Sequence, residues 1–152
     1  MGSGLVLLCG GTGLLGCEIA RRLAARGAEV RALVRPRSDA EGLVALGCQV
    51  VRGDFRDPDS LASAVAGVTT VISTVNSMAR LLGGETGLSI REVDDRGYAA
   101  LIAACERAGV DRFVFASVLD DPTDGGTPFT AAKAQTERRL KASAMHEVIV
   151  RA

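Results

Sequence analysis

A chain of 152 residues, 47% hydrophobic and 24% charged, is the size and composition of one globular domain with its own core. Its 18 basic and 18 acidic residues cancel, and only 3% are aromatic, which removes the bulk case for nucleic acid or a membrane surface as partner. No window reaches the roughly 18 consecutive apolar residues of a membrane span, and MGSGLVLLCGG lacks the basic start of a signal peptide, so the expected compartment is the cytoplasm. In chain order, Leu5–Cys9 is the first predicted strand, and glycines follow at 10, 11, 13 and 16. Leu15, Ile19 and Leu23 then fall on one helical stripe, closed by Gly27. Val30–Val34 and Gln49–Val51 are the next strands. DPDSLASAVAG (57–67) opens with an Asp cap and Pro58 and stops at Gly67. Thr70–Ser73 is the fourth strand, and the stretch 76–89 after it reads as irregular. YAALIAACERAGV (98–110) is a helix with Leu101, Cys105 and Ala108 on one stripe, and Phe113–Ala116 is the fifth strand. A second irregular stretch, 119–129, leads into the helix PFTAAKAQTERRLKAS, and Val148–Val150 closes the series.

These strands are continuous apolar runs rather than alternating ones, which means burial on both faces. With helices between them, the fold class is α/β: a parallel sheet joined by right-handed crossovers. No repeat, low-complexity tract or linker divides the chain, so residues 1–152 read as a single domain.

Gly10, Gly11, Gly13 and Gly16 lie between the first strand and first helix, with Thr12, Leu14 and Leu15 among them. A phosphate approaches a backbone closely only where no Cβ intervenes, and the helix start then offers free N–H groups and the positive end of its dipole. This placement predicts dinucleotide binding; the alternative is a tight turn. An NAD site usually carries an acidic residue at the end of the second strand. Here Arg35 and Arg37 stand there, and a guanidinium suits a 2′-phosphate, so NADP(H) is predicted over NAD(H). The alternative is a solvated loop. After the third strand, Asp54 is a candidate acceptor for the adenine amino group with Phe55 against the ring, or else a turn residue.

The segments GGTGLLG, LVRPRSD, VRGDFRDPDSLASAVAGVTTVIS and DDRGYAALIAACERAGVDRFVFAS, in this order, resemble the NmrA-like family, atypical members of the short-chain dehydrogenase/reductase superfamily. The resemblance implies a Rossmann-like doubly wound sheet of order 3-2-1-4-5-6, with Arg35 on the 2′-phosphate and Asp54 and Phe55 at the adenine. It also implies that Thr74, Val75 and Asn76 lie along the nicotinamide half, and that Lys133 reaches the nicotinamide ribose. Superfamily reductases pair that lysine with a tyrosine four residues earlier. This chain has Phe129 there, and Phe has no proton to exchange. Family members usually continue into segments that build the substrate pocket, whereas this sequence stops at HEVIVRA.

Ser117 stands where the superfamily often has a carbonyl-polarising serine; the alternative is a strand-end hydroxyl bonded to backbone. Lys133 is a candidate proton donor as well as a ribose ligand, against a solvated lysine on a charged helix. Tyr98 reads as a core-edge packing residue and His146 as structural. Cys9, Cys17, Cys48 and Cys105 read as packing residues, with no metal site. Two functions follow: an NADP(H)-binding regulatory module whose loops 76–89 and 119–129 order around the cofactor and meet a protein partner, or an NADPH-dependent reductase. A homodimer through the fourth and fifth helices would follow superfamily habit.

Overall fold

The computed structural model describes residues 4–119 and 126–152. Six strands form one parallel sheet: β1 Leu5–Cys9, β2 Val30–Val34, β3 Gln49–Arg52, β4 Val68–Ser73, β5 Arg112–Ser117 and β6 His146–Arg151. Their order is β3-β2-β1-β4-β5-β6, so the winding reverses between β1 and β4 and opens a crevice at the strand C-termini there.

Helices cover both faces. Leu7 and Leu8 are adjacent on β1 and both fully buried, but they belong to different cores because successive strand residues point to opposite faces. Leu8 joins Ala20 of α1 (Leu14–Ala25) and Leu43 of α2 (Glu41–Ala45). Leu7 joins Leu61 of α3 (Pro58–Val65), Leu101 of α5 (Tyr98–Ala108) and Leu140 of α6 (Pro128–Ala142). Each such leucine contributes about 1.5–3 kcal/mol relative to leaving it exposed. Burial on both faces holds for β1 and β2, while Val148 and Val150 of the edge strand β6 stay exposed.

The predicted Asp57 cap is present, accepting from the N–H groups of Asp59 and Ser60. Helix α6 opens on a reciprocal Thr127–Thr130 capping box that the sequence reading did not include. The 76–89 stretch is not irregular throughout. Asn76 Oδ1 accepts from the N–H groups of Met78 and Ala79, and the chain turns into a short helix, α4 (Met78–Leu82). A wider i→i+5 spiral, Arg91–Gly97, then runs directly into α5. Of 119–129, residues 120–125 lie outside the described residues, as do 1–3. Among the described residues no helix is long and apolar enough to cross a membrane.

Candidate dinucleotide-binding site

At the end of β1 the backbone turns through Gly10 at φ +91°, a conformation L side chains rarely adopt. Gly13 N–H donates to Gly10 O at 3.1 Å, and Gly13 O accepts the first N–H bond of the helix, from Cys17 at 2.8 Å. A Cβ at Gly16 would overlap the Gly10 carbonyl, and one at Gly10 would overlap the Thr74 hydroxyl. Strand end, loop and helix therefore approach as closely as bare backbone allows. No side chain caps α1 and no acidic residue stands in its first turn, while Thr12, Gly13, Leu14 and Leu15 are exposed. The first N–H groups of a twelve-residue helix and its positive dipole end thus face the crevice beside β4. This cradle fits a pyrophosphate.

Arg35 leaves the end of β2 toward the same edge, its side chain half exposed and its carbonyl held by Arg52 Nη1 at 3.0 Å. Its guanidinium meets Glu85 Oε1 at 3.4 Å, and the same carboxylate takes two shorter bonds from Arg80, 2.8 Å from Nε and 2.5 Å from Nη2. Asp54 forms a two-pronged pair with Arg56 (both contacts 3.0 Å), which holds its carboxyl below the usual carboxylate range. Arg56 also donates to Gly87 O at 3.0 Å. Arg37 is exposed in the turn beyond Pro36. One expectation needs correcting: Phe55 does not offer its ring to a ligand. The ring is 6% exposed and packs edge-on against Tyr98 at 5.1 Å, because the β3–α3 turn directs it beneath α5.

Across the crevice, Thr74, Val75 and Asn76 form the turn after β4. Thr74 N–H donates to Cys9 O at 3.0 Å, which ties the turn to the end of β1. Tyr98 is more than a core-edge residue. It is fully buried, and its hydroxyl lies 2.9 Å from Ser73 Oγ and donates to Val75 O at 2.6 Å, fixing the turn from below. Beside it, buried Asp94 accepts from Ser77 through both N–H and hydroxyl, and burial raises its carboxyl pKa.

Lys133 is no solvated lysine. It is 4% exposed, donates to Ala116 O at 3.0 Å, and lies 4.6, 5.4 and 5.6 Å from the ring centres of Phe115, Phe129 and Tyr98. Burial draws its pKa down to about 8, with Asp94 pulling the other way. Ser117 ends β5 as expected, but its hydroxyl donates to the Glu137 carboxylate at 2.7 Å rather than to backbone. Glu137 also pairs with Arg151 at 2.5 Å. Ser117, Lys133, Glu137 and Arg151 line a cavity of about 240 Å³ at the C-terminal ends of β5 and β6. Sequence reasoning missed Glu137, whose signal is its place one turn after Lys133 on the same inward stripe of α6. His146 is exposed on β6, and no metal-ligating group occurs among the described residues. All four cysteines are free, with Cys9 and Cys105 buried and their thiol pKa values raised by that burial.

A profile described as NAD(P)H-binding matches residues 10–152. The chain belongs to the NAD(P)H-binding family. It is 33% identical over 144 residues to the photosystem II assembly factor Ycf39 of Cyanophora paradoxa, covering 95% of this chain and 43% of that protein. It is 31% identical over 141 residues to an NAD(P)H azoreductase of Xenophilus azovorans, covering 93% and 45%. The chain thus spans less than half the length of these relatives. Among solved structures it superposes on the UDP-glucose 4-epimerase of Thermus thermophilus in complex with NAD, with TM-score 0.78 and 26% identity over 97% of this chain and 54% of that one.

Proposed function

We propose that this NAD(P)H-binding chain acts as an NmrA-like module with NADP(H) as its preferred cofactor and little catalysis of its own. The observation that carries the reading is the bare-backbone cradle of Gly10, Gly13 and Gly16 beneath the uncapped start of α1, with Arg35 at the end of the neighbouring strand. Gly10–Gly16, including Gly11, Thr12, Leu14 and Leu15, would hold the pyrophosphate. Arg35, with Arg37 behind it, would meet the 2′-phosphate, and Asp54 the adenine edge. Thr74, Val75, Asn76 and Lys133 would lie along the nicotinamide half. The bound cofactor would supply a transferable hydride; the chain's own residues do the positioning. Phe129 stands one turn before Lys133 without an exchangeable proton, and the Ser117 hydroxyl is turned to Glu137, which favours binding over turnover.

The relative named as an assembly factor supports a role with a protein partner; a second copy of the chain is the other partner we propose, with residues 1–152 acting as one cofactor-binding unit. Four free thiols suit a reducing, cytoplasmic setting. A second reading, an NADPH-dependent reductase of a carbonyl or quinone, is favoured by the azoreductase relative and by Lys133, whose pKa near 8 suits proton transfer near neutral pH.

Calorimetric titration of the wild-type and Arg35→Ala chains with NADPH and NADH tests the assignment. Loss of one or more charge-assisted hydrogen bonds should weaken NADPH about ten- to hundredfold and leave NADH nearly unchanged. Equal affinities for the two cofactors in the wild type would sink the preference while leaving the cradle.

A further inference from the structure

Around the end of β2, three arginines from separate segments converge: Arg35 after β2, Arg56 after β3 and Arg80 on α4. The anion nearest to Arg35 and Arg80 is the carboxylate of Glu85. Arg80 grips it through two nitrogens at 2.5 and 2.8 Å. Arg35 stands 3.4 Å from it, beyond the 2.7–2.9 Å usual for a charge-assisted bond. Arg56 adds a bond to Gly87 O, so the 83–87 turn is tied across the adenosine end by side chains that would also attract a phosphate. Glu85 itself is half exposed on a turn between two glycines at positive φ, Gly84 and Gly87, and among the described residues its carboxylate bonds are to Arg35 and Arg80.

We propose that Glu85 is an internal competitor for the 2′-phosphate subsite and that Arg80 is that subsite's second ligand. The inference rests on the assignment of Arg35 to the 2′-phosphate. A phosphate brings about −1.5 to −2 charges and three acceptor oxygens where the carboxylate brings one charge and two oxygens, so it outcompetes Glu85 for the two guanidinium groups. NADP(H) therefore displaces Glu85 and loosens the 83–87 turn, whereas NAD(H), which has no phosphate there, leaves it pinned. The chain distinguishes the two cofactors by re-pairing a turn that is already folded, not by ordering an irregular loop.

Titration of Glu85→Gln, Arg80→Ala and Arg35→Ala with NADPH and NADH, with hydrogen exchange followed across 83–87, tests this. Removing an exposed competing carboxylate should tighten NADPH about two- to fivefold and leave NADH unchanged. Arg80→Ala should weaken NADPH selectively. In the wild type, NADPH but not NADH should speed exchange at the Glu85 amide, whose N–H donates to Arg80 O at 3.0 Å. If Glu85→Gln leaves NADPH affinity unmoved while Arg35→Ala still weakens it, Glu85 is not a competitor and the 2′-phosphate assignment survives alone. A Glu85→Gln chain that loses NADH affinity would make Glu85 a ribose ligand and overturn the inference. An Arg35→Ala chain that keeps its cofactor preference brings down the 2′-phosphate assignment itself, and this inference with it.

Discussion

An ammonium group enclosed by the rings of Phe115, Phe129 and Tyr98 meets two opposing influences. Burial disfavours its charge, while the ring faces, the Ala116 carbonyl and the nearby Asp94 carboxylate favour it. Burial wins, and the Lys133 pKa falls from 10.5 to about 8. Between those two values the folded chain has released a proton that the unfolded chain still binds, so stability rises with pH through this window. Below pH 8 both states hold the proton and the contribution is level. Urea unfolding of wild-type and Lys133→Met chains from pH 7 to pH 10.5 should therefore show the wild type gaining on the variant, by at most about 3 kcal/mol. A gap independent of pH would mean that Lys133 keeps an ordinary pKa. The same residue illustrates what sequence withholds. The family resemblance singles out Lys133, but helix α6 also carries Arg138, Arg139 and Lys141, and nothing in that run of charges by itself tells which one the fold turns inward.

Helix α1 is where local preference and packing part company. Replacing a glycine in a helix by alanine ordinarily stabilises it by about 1 kcal/mol. Gly16 lies inside α1, yet its Cβ would overlap the Gly10 carbonyl, which is backbone and cannot turn aside. Gly16→Ala should therefore destabilise the chain by more than about 2 kcal/mol and lower NADPH affinity, because helix and phosphate loop must separate. Gly47→Ala is the control. Gly47, unlike Gly16, has a positive φ, +81°, but a Cβ there meets open space, so the cost should be about 1 kcal/mol with cofactor binding intact. Chemical denaturation and NADPH titration of both variants check the pair, and equal behaviour would refute close packing at the loop. The loop itself was legible because glycine spacing, strand and helix are contiguous in sequence. Helices α2 and α4, five residues each, were not, since they are too short to show a hydrophobic period.

Across the whole molecule, legibility follows distance along the chain. The six strands were readable as apolar runs, but the contacts that give the site its character join residues far apart: Arg35 with Glu85, Tyr98 with Ser73, Ser117 with Glu137. The sheet order brings these together, and no local pattern announces them. It also decides what one substitution can restore. Phe129→Tyr would place a hydroxyl one helical turn from Lys133, whose depressed pKa suits it to assist proton transfer. The third participant, the Ser117 hydroxyl, still donates to Glu137, and Arg151 holds that carboxylate in place. A carbonyl bound there would find a tyrosine proton but no serine donor. Phe129→Tyr should therefore bind NADPH as the wild type does and remain near background when NADPH oxidation is followed with carbonyl and quinone acceptors. General acid catalysis contributes about 10²–10⁴-fold where its partners are aligned. A rise of that size in the single variant would mean that the tyrosine was the one missing part and that the Ser117–Glu137 bond does not block the crevice, whereas turnover by the wild type itself would make the second reading of its function the correct one.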